Sequence, residues 1–457
     1  MSKTYFRQAL AMIREEKLFS AIHIAGTALA IAFTMVMAVV YYIKLAPIYP
    51  EVNRPRTVYF ENLKVVAENG GEAGMPFGPK AFEEWFLSSP NIEFCAPTLL
   101  ACGSGKLRLS CHEFVFVGDG YTGNGEYIEA IINKTNADIF NIYKYDFLEG
   151  RPFTPQEVEA HESVCVISDA FAKRLFGKNA EALGQLVCLE RGWSLRVVGV
   201  VRSGSQLTPD SYADLFLPYT LWETRYSDSP YTGEFAIVAT VKDTEHLQAL
   251  KKELDEIASR LSFDYVKITG GYRFFGEGVK THVELTQGLE THPMHALRTA
   301  ARDDEYDKIS NRQLFSHFAS LLFILLFVPA LNLCGIVAGR MERRSAEMAV
   351  RKTFGARRST LLWQIVTENL VLTSIGGIIG LVAAWLAIYG LRTEILGLFF
   401  DSTTIGSSSF VTGEMLFAPL LFVGAFAAVL LMNLLSALLP AWLSLRKPIV
   451  ESMMEKR

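Results

Sequence analysis

The sequence RMERRSAEMAVRKTFGARRSTLLWQIVTENLVLTSIGGIIG, from Arg340 to Gly380, joins a basic segment directly to a long apolar run. Its first thirty residues, 340–369, carry seven Arg and Lys residues against three acidic ones. Gly355 follows a helix-like pattern and is typical of a helix C-terminus. A second helix is predicted to begin near Ser359 and to continue into the apolar run. The stretch therefore predicts two helices joined by a turn at the surface of a membrane.

Three further apolar segments support a membrane protein. The chain has 457 residues, of which 50% are hydrophobic, and about 20 apolar residues suffice to cross a bilayer as a helix. We predict four transmembrane helices, at residues 18–43, 313–339, 370–391 and 415–445. The first run is longer than the apolar core of a signal peptide and is expected to remain as an anchor.

The distribution of charge predicts the topology. Basic residues exceed acidic ones in the tail 1–17, in the loop 340–369 and in the tail 446–457, whereas the short loop 392–414 is acidic. Basic segments usually stay in the cytoplasm. Both termini and the loop 340–369 are therefore predicted to be cytoplasmic, and 44–312 and 392–414 external. The tail 1–17 has the pattern of an amphipathic helix at the inner membrane surface.

The segment 44–312 is predicted to fold as a large α+β domain outside the membrane. It interleaves strand-like runs with helices, including a strand over residues 57–66, a strand at Val164–Ser168, and helices at Asp169–Phe176 and about Thr244–Leu261. Ser168 or Asp169 is the natural N-cap of the first of these helices. The segment is roughly twice the usual domain length, which favours two subdomains.

Several motifs that carry chemistry in other proteins are incomplete here. Gly103–Lys106 resembles the end of a phosphate-binding loop but lacks the following Ser or Thr, and the GxGxxG spacing at Gly118 is followed by no clear helix. His292 and His295, two residues of one short segment, lack supporting ligands for a metal site. For Cys95, Cys102 and Cys111, a disulfide and buried free thiols are both open. No strong catalytic constellation is present, so we expect a non-catalytic chain without a cofactor of its own.

Small residues in the apolar runs predict close helix packing. Gly26 and Ala30 in the first span, and Gly376, Gly377 and Gly380 in the third, have the spacing that lets two helix backbones approach each other.

The opening stretch resembles the signature of the MacB/FtsX-type ABC transporter permeases. The resemblance covers nearly the whole chain, but Ala349 and Thr353 stand where Gly and Ala are common, and residues 121–133 have no recognised match. The similar residues of the opening stretch are Arg343, Arg344, Glu347–Lys352, Phe354, Gly355, Ala356, Glu368, Gly376, Gly377 and Gly380. The tail is similar at Leu439–Trp442, Arg446, Pro448 and Val450, and the external segment at 137–140, 150–153, 166–168, 172–177, 182–184 and 197–201.

The resemblance implies a permease subunit of a bacterial inner-membrane ABC transporter. A separate cytoplasmic ATPase would use ATP, and the chain would pass the resulting movement to a periplasmic MacB-like domain, a porter-like subdomain with a second one inserted, so that drugs, peptides or lipoproteins are exported. The residues implied to couple to the ATPase are Arg343, Arg344, Glu347, Val350, Arg351, Lys352, Phe354, Gly355 and Ala356.

The resemblance also implies a dimer with a second permease copy or a paralogue, and leaves open a periplasmic adaptor and an outer-membrane duct. No nucleic-acid partner is expected. Two alternatives stay open. One is an FtsX-like regulator that controls an extracytoplasmic enzyme, and the other is a membrane sensor without transport.

Overall fold

The computed structural model describes residues 17–301, 345–390 and 419–446, apart from short gaps at 69, 100–110, 120–123, 178–180, 190–192, 206, 222–230, 262–279 and 286–288, together with scattered helical positions between 312 and 339. The chain divides into two compact units. The first contains Met1–Tyr42, Ile309–Ser402 and Gly413–Arg457, and the second contains Ile43–Lys308 and Thr403–Thr412. We call them the membrane unit and the external unit.

The external unit is built from fourteen described strands and several helices. The strands are β1 (Thr57–Phe60), β2 (Leu63–Ala67), β3 (Glu72–Met75), β4 (Ile92–Leu99), β5 (Cys111–Asp119), β6 (Asn124–Thr135), β7 (Phe147–Gly150), β8 (Val164–Ser168), β9 (Leu186–Leu189), β10 (Ser194–Val201), β11 (Leu215–Pro218), β12 (Phe235–Val241), β13 (Thr281–Glu284) and β14 (Leu289–Thr291). The α-helices of the chain are α1 (Lys17–Leu45), α2 (Pro79–Ala81, continued by a π-helical turn at Phe82–Leu87), α3 (Ile139–Ile142), α4 (Pro155–Glu159), α5 (Asp169–Phe176), α6 (Thr244–Leu261), α7 (His292–Ala301), α8 (Ser345–Thr353), α9 (Arg358–Gly390) and α10 (Pro419–Arg446).

Two antiparallel sheets share the first core of the external unit. One has the strand order β14-β1-β12-β4 and the other the order β13-β2-β3. Helix α6 contributes Leu250 and Leu254 to this core, at the spacing of one face of a helix. The rings of Phe60 and Phe77 each pack against the ring of Phe86 in a T-shaped, edge-to-face arrangement. Burial of this apolar surface is the main force that holds the sheets together.

The third sheet closes on itself. Its strand order is β7-β10-β8-β11-β6-β5-β9, and β9 also pairs with β10, so that six strands form a ring to which β7 is attached. Every strand of the ring is therefore paired on both sides for part of its length. Buried side chains such as Ile132, Val197 and Leu215 belong to a separate core formed with this sheet.

Several local predictions are confirmed. Strand β8 and helices α5 and α6 have the predicted bounds. The hydroxyl of Ser168 accepts a hydrogen bond from the amide of Phe171 at 3.2 Å, which identifies Ser168 as the N-cap of α5. The helix ends at Gly177, whose φ of 90° favours glycine.

The prediction of a single strand over residues 57–66 is wrong. The extended segment is interrupted at Glu61 and Asn62, and its two halves belong to different sheets. Strand β1 pairs with β12 and β14, whereas β2 pairs with β3 and β13. Both halves are buried almost throughout, so the hydrophobic pattern alone does not indicate where one strand ends.

The membrane unit contains long apolar helices. In the part of the chain that the structure describes, α1 and α9 have the length and composition of membrane-spanning helices, and a shorter apolar helical stretch lies at Phe422–Leu438. They overlap the first, third and fourth predicted spans, although α9 begins twelve residues before the third one. The second predicted span is described only at scattered positions, and the tail 1–16 and the loop 392–414 lie outside the described residues.

Candidate coupling segment

The segment that the sequence singled out forms two helices joined by a tight turn. Helix α8 ends in a turn where the amide of Gly355 donates to the carbonyl of Lys352 and the amide of Ala356 donates to that of Arg351, each at 3.0 Å. This pair of bonds is the Schellman arrangement, and Gly355 has the φ of 86° that it requires. The predicted helix stop at Gly355 is confirmed.

The turn presents an apolar side chain to its surroundings. Phe354 is 87% exposed and Val350 is 42% exposed in the described chain. Both side chains are therefore accessible to contact by another molecule. Arg351, Lys352 and Ala356 are half-buried.

Arg343 and Arg344 lie outside the described residues, and for Glu347 only the backbone, in α8, is described.

A polar relay formed by Arg351, Gln364 and Glu368 joins α8 to α9. The guanidinium of Arg351 donates to the side-chain oxygen of Gln364 at 2.8 Å, and the amide nitrogen of Gln364 donates to the carboxylate of Glu368 at 3.0 Å. Gln364 is 8% and Glu368 is 2% exposed. Hydrogen bonds to charged groups are stronger than those between neutral groups when they are removed from water. The relay therefore fixes the orientation of α8 on α9.

Apolar contacts surround this relay. Met348 of α8 packs with Leu361 and Ile365 of α9 and with Ala437 and Ala441 of α10 in one core. The turn, the first turns of α9 and the last turns of α10 thus share a small core.

Glycines bring α9 against α1. A Cβ atom at Gly376 would lie 2.8 Å from the carbonyl oxygen of Ile24, and one at Gly380 would lie 2.5 Å from that of Ala28. Gly377 faces the ring of Phe426, where a Cβ would clash. The backbones can approach this closely because these three positions lack side chains.

The two small residues predicted in α1 differ in their surroundings. No described atom lies within 4 Å of a Cβ built at Gly26, whereas Ala30 is 6% exposed. Near this packed region, the ring of His23 lies 3.4 Å from the hydroxyl of Thr373.

The external unit holds a buried cluster that sequence reasoning missed. His295 has Asp210 at 3.2 Å from Nε2, and Glu61 and Glu290 at 3.4 and 3.5 Å from Nδ1. His292 lies between the hydroxyl of Tyr59 at 3.1 Å and the carbonyl of Lys44 at 2.9 Å. The fold thus brings acidic side chains from distant parts of the chain to these histidines, which their spacing in the sequence does not indicate.

The two histidines differ in charge. Burial lowers the pKa of His292, so that its ring is neutral near pH 7. Burial also disfavours the charged form of His295, but Asp210, Glu290 and Glu61 outweigh it and hold its pKa well above the usual value. Burial raises the pKa of Asp210, yet the charge of His295 lowers it overall, so both partners are ionised.

The same cluster contains a set of metal-type donors. Glu51, Asp210 and His292 offer ligand atoms within 4.8 Å of one another. The oxygens of Glu51, however, already accept hydrogen bonds from Arg54 and Ser211, each at 2.7 Å. Because a guanidinium already supplies the positive charge, the arrangement fits a hydrogen-bonded ionic network better than a metal centre.

The remaining candidate sites are the cysteines and the glycine-rich motifs. Cys95 and Cys165 are buried free thiols, and burial raises the pKa of both. Cys102 and the 103–106 segment lie outside the described residues, as does the side chain of Cys111.

Two family models match the chain. The MacB-like periplasmic core domain matches residues 20–257, more than half of the chain, and the FtsX-like permease C-terminal domain matches residues 319–449. The chain belongs to the MacB/FtsX-type ABC transporter permease family. It is therefore a membrane protein of a family whose members carry a periplasmic domain, as the sequence resemblance indicates.

Curated relatives agree with this assignment. An uncharacterized ABC transporter permease, YknZ of Bacillus subtilis, is 24% identical over 256 residues, which cover 56% of this chain and 56% of YknZ. The macrolide export ATP-binding/permease protein MacB of Escherichia coli K12 is 24% identical over 315 residues, covering 69% of this chain and 42% of MacB. The match thus spans about half the length of these relatives.

Solved structures of similar domains were also found. The periplasmic region of MacB from Actinobacillus actinomycetemcomitans covers 51% of this chain and 90% of its own length, with a TM-score of 0.32 and 15% identity. The extracellular domain of YknZ from Gram-positive bacteria covers 49% of this chain and 100% of its own length, with a TM-score of 0.31 and 15% identity.

Proposed function

We propose that the chain is the permease subunit of an ABC system in which a separate cytoplasmic ATPase drives a change of shape in the external unit. The chain itself would be non-catalytic and would bind no cofactor, because ATP is used by the partner. In this proposal four helices span the bacterial inner membrane, both termini are cytoplasmic, and the external unit is a porter-like subdomain with a second one inserted.

The observation that carries the proposal is the construction of the coupling segment. An exposed Phe354 stands on a turn whose adjacent helix is fixed to a long apolar helix by the Arg351–Gln364–Glu368 relay. A surface that only anchored the protein to lipid headgroups would need basic charge but no buried relay. Because the relay holds α8 rigidly on α9, a partner that docks on Phe354 could transmit force to α9.

The transported substrate follows from the relatives only as a class. Proteins named for macrolide export and pyoverdine export are among them, which favours a small molecule, and peptides and lipoproteins are the other classes to test. A second permease copy or a paralogue would complete a dimer, and a periplasmic adaptor and an outer-membrane duct are further candidate partners.

Co-purification from native membranes tests the proposal. A tagged chain is expected to retain an ABC ATPase, and Phe354→Ala is expected to lose it while remaining folded, because Phe354 has little contact with its own chain. Tyr389→Ala is the matched control, since Tyr389 is a 63% exposed aromatic residue near the other end of α9. Retention of the ATPase by the Phe354 variant at the wild-type level would contradict the assignment of the docking surface.

The same experiment separates the alternatives. An FtsX-like regulator would retain the ATPase together with an external enzyme, and its deletion would leave export unchanged. A sensor would retain no ATPase at all.

A further inference from the structure

The carbonyl groups at the outer end of α1 have side-chain partners. The last four carbonyls of any helix lack partners within the helix and must find them elsewhere. One Nη of Arg54 donates to the carbonyl of Ile43 at 2.7 Å and also to that of Ala46. The ring of His292 donates a hydrogen bond to the carbonyl of Lys44, which lies between Ile43 and Ala46 in the sequence. All of these residues belong to the external unit, whereas α1 itself continues into the membrane unit.

Further hydrogen bonds fix the side chains of Arg54 and His292 in position. Nε of Arg54 donates to Glu51, and the other oxygen of Glu51 accepts from Ser211. Since the Lys44 carbonyl only accepts, Nε2 of His292 carries the proton, and Nδ1 accepts from Tyr59. Arg54 and Glu51 are 3% and 1% exposed, so the bonds are shielded from competing water.

Charge adds to this arrangement. A helix C-terminus carries a partial negative charge, which a buried guanidinium complements. Tyr59 also stacks on the ring of His295 at 4.1 Å, and His295 is held by Asp210. The side chains that bind the end of α1 are thus connected through Tyr59 to the ionic cluster around His295.

We propose that Arg54 and His292 are positioning residues that clasp the outer end of α1 to the external unit, so that movement of α1 is passed to that unit without slack. This role rests on the proposed function, because it supplies the outer joint of the force path whose inner joint is the coupling segment. We call Glu51, Arg54, Tyr59 and His292 the clasp.

Hydrogen exchange of the full chain in lipid nanodiscs tests the clasp itself. In His292→Phe and in the charge-neutral pair Glu51→Gln with Arg54→Gln, amide exchange over residues 41–45 is expected to rise at least tenfold as the last turn frays. Exchange in β8 and α5 should be unchanged, which shows that the external unit is folded.

Arg56→Gln is the matched control for these variants. Arg56 lies two residues from Arg54, but it is 40% exposed and pairs with Glu93 at the surface. Exchange over residues 41–45 that is unchanged in both clasp variants, or that rises equally in Arg56→Gln, would overturn the clasp.

A second measurement tests the transmission. With the co-purified ATPase, ATP and vanadate are expected to change exchange in β12 and α6 of the wild type and of Arg56→Gln, and this change is expected to be lost in the clasp variants although the ATPase is retained. If the wild type shows no such change, the proposed function fails, and the coupling role of the clasp fails with it. If wild type and clasp variants respond alike, only the coupling role is overturned.

Discussion

The carbonyl oxygen of Ile24 lies directly over Gly376, where a Cβ atom would approach it to 2.8 Å. The same added atom would lie 2.9 Å from the Cβ of Thr27, so neither backbone nor side chain leaves room for it. The contact between α1 and α9 therefore depends on the absence of a side chain at this position.

Gly376→Ala is expected to destabilise the membrane unit by about 1–3 kcal/mol, because the helices must separate to accept the methyl group. The measurement is the melting temperature in detergent micelles. Gly26→Ala is the matched control, since no described atom lies within 4 Å of its Cβ, and it should be neutral or slightly stabilising. Because the change from Gly to Ala favours a helix at both positions, equal losses in the two variants would contradict the assignment of the effect to the contact at Gly376.

Gln364→Leu is expected to destabilise the chain by about 1–3 kcal/mol, because it removes both hydrogen bonds of the relay and leaves buried polar atoms without them. ATPase retention should fall with it, since α8 loses its fixed orientation. Thr367→Ala, on an exposed side of the same helix, is the control. A Gln364 variant with wild-type stability and full ATPase retention would show that the relay has no mechanical role.

Glu157→Gln tests an ion pair in the external unit. Arg151 donates to both oxygens of Glu157, at 2.8 and 2.7 Å, and with the capping box at Thr154 lowers the pKa of Glu157 from 4.5 to about 2. The depressed pKa means that the stabilisation is complete above pH 4.5 and is lost as the pH falls toward about 2. Because the side chain of Arg151 is 51% exposed, we expect a contribution on the order of 1 kcal/mol.

The check is the difference in melting temperature between wild type and variant from pH 7 down to pH 3. This difference should shrink as the pH falls below 4.5. Glu159→Gln, at an exposed position in the same helix, is the control and should change the melting temperature little at pH 7. A difference for the Glu157 variant that does not change with pH would contradict the assignment.

His295→Gln tests the ionic cluster. Its raised pKa means that the stabilisation is complete below about pH 6.5 and is lost as the pH rises through the folded-state value. Loss of one partner from a buried ion pair costs about 3–5 kcal/mol, because the carboxylates are left uncompensated. We therefore expect a large fall in melting temperature at pH 7 that diminishes at high pH. His246→Gln, in an exposed pair with Asp243, is the control and should change little.

Local signals in the sequence were sufficient for the elements that depend on neighbours along the chain. The cap at Ser168 and the stop at Gly355 each follow from a few adjacent residues and the backbone angles that they favour. The membrane helices follow from the length of their apolar runs. Local pattern was not sufficient where the partner comes from a distant part of the chain.

The relay and the clasp are examples of such contacts between distant parts of the chain. Gln364, which accepts a hydrogen bond from Arg351, is 13 positions away in sequence, and the turn at Gly355 brings the two side chains together. His292 meets Lys44 across 248 positions of sequence. No spacing rule connects such residues, because only the tertiary fold decides which strands and helices become neighbours.

The length of α1 has a mechanical consequence. With 29 residues at about 1.5 Å each, it is a rod of about 43 Å, so that tilting it by about 5° displaces one end by about 4 Å relative to the other. A hydrogen bond is lost when its atoms separate by about 1 Å. In the proposed force path, a shift of this size at the clasped end of α1 would break the hydrogen bonds of the clasp unless the clasped residues moved with the helix.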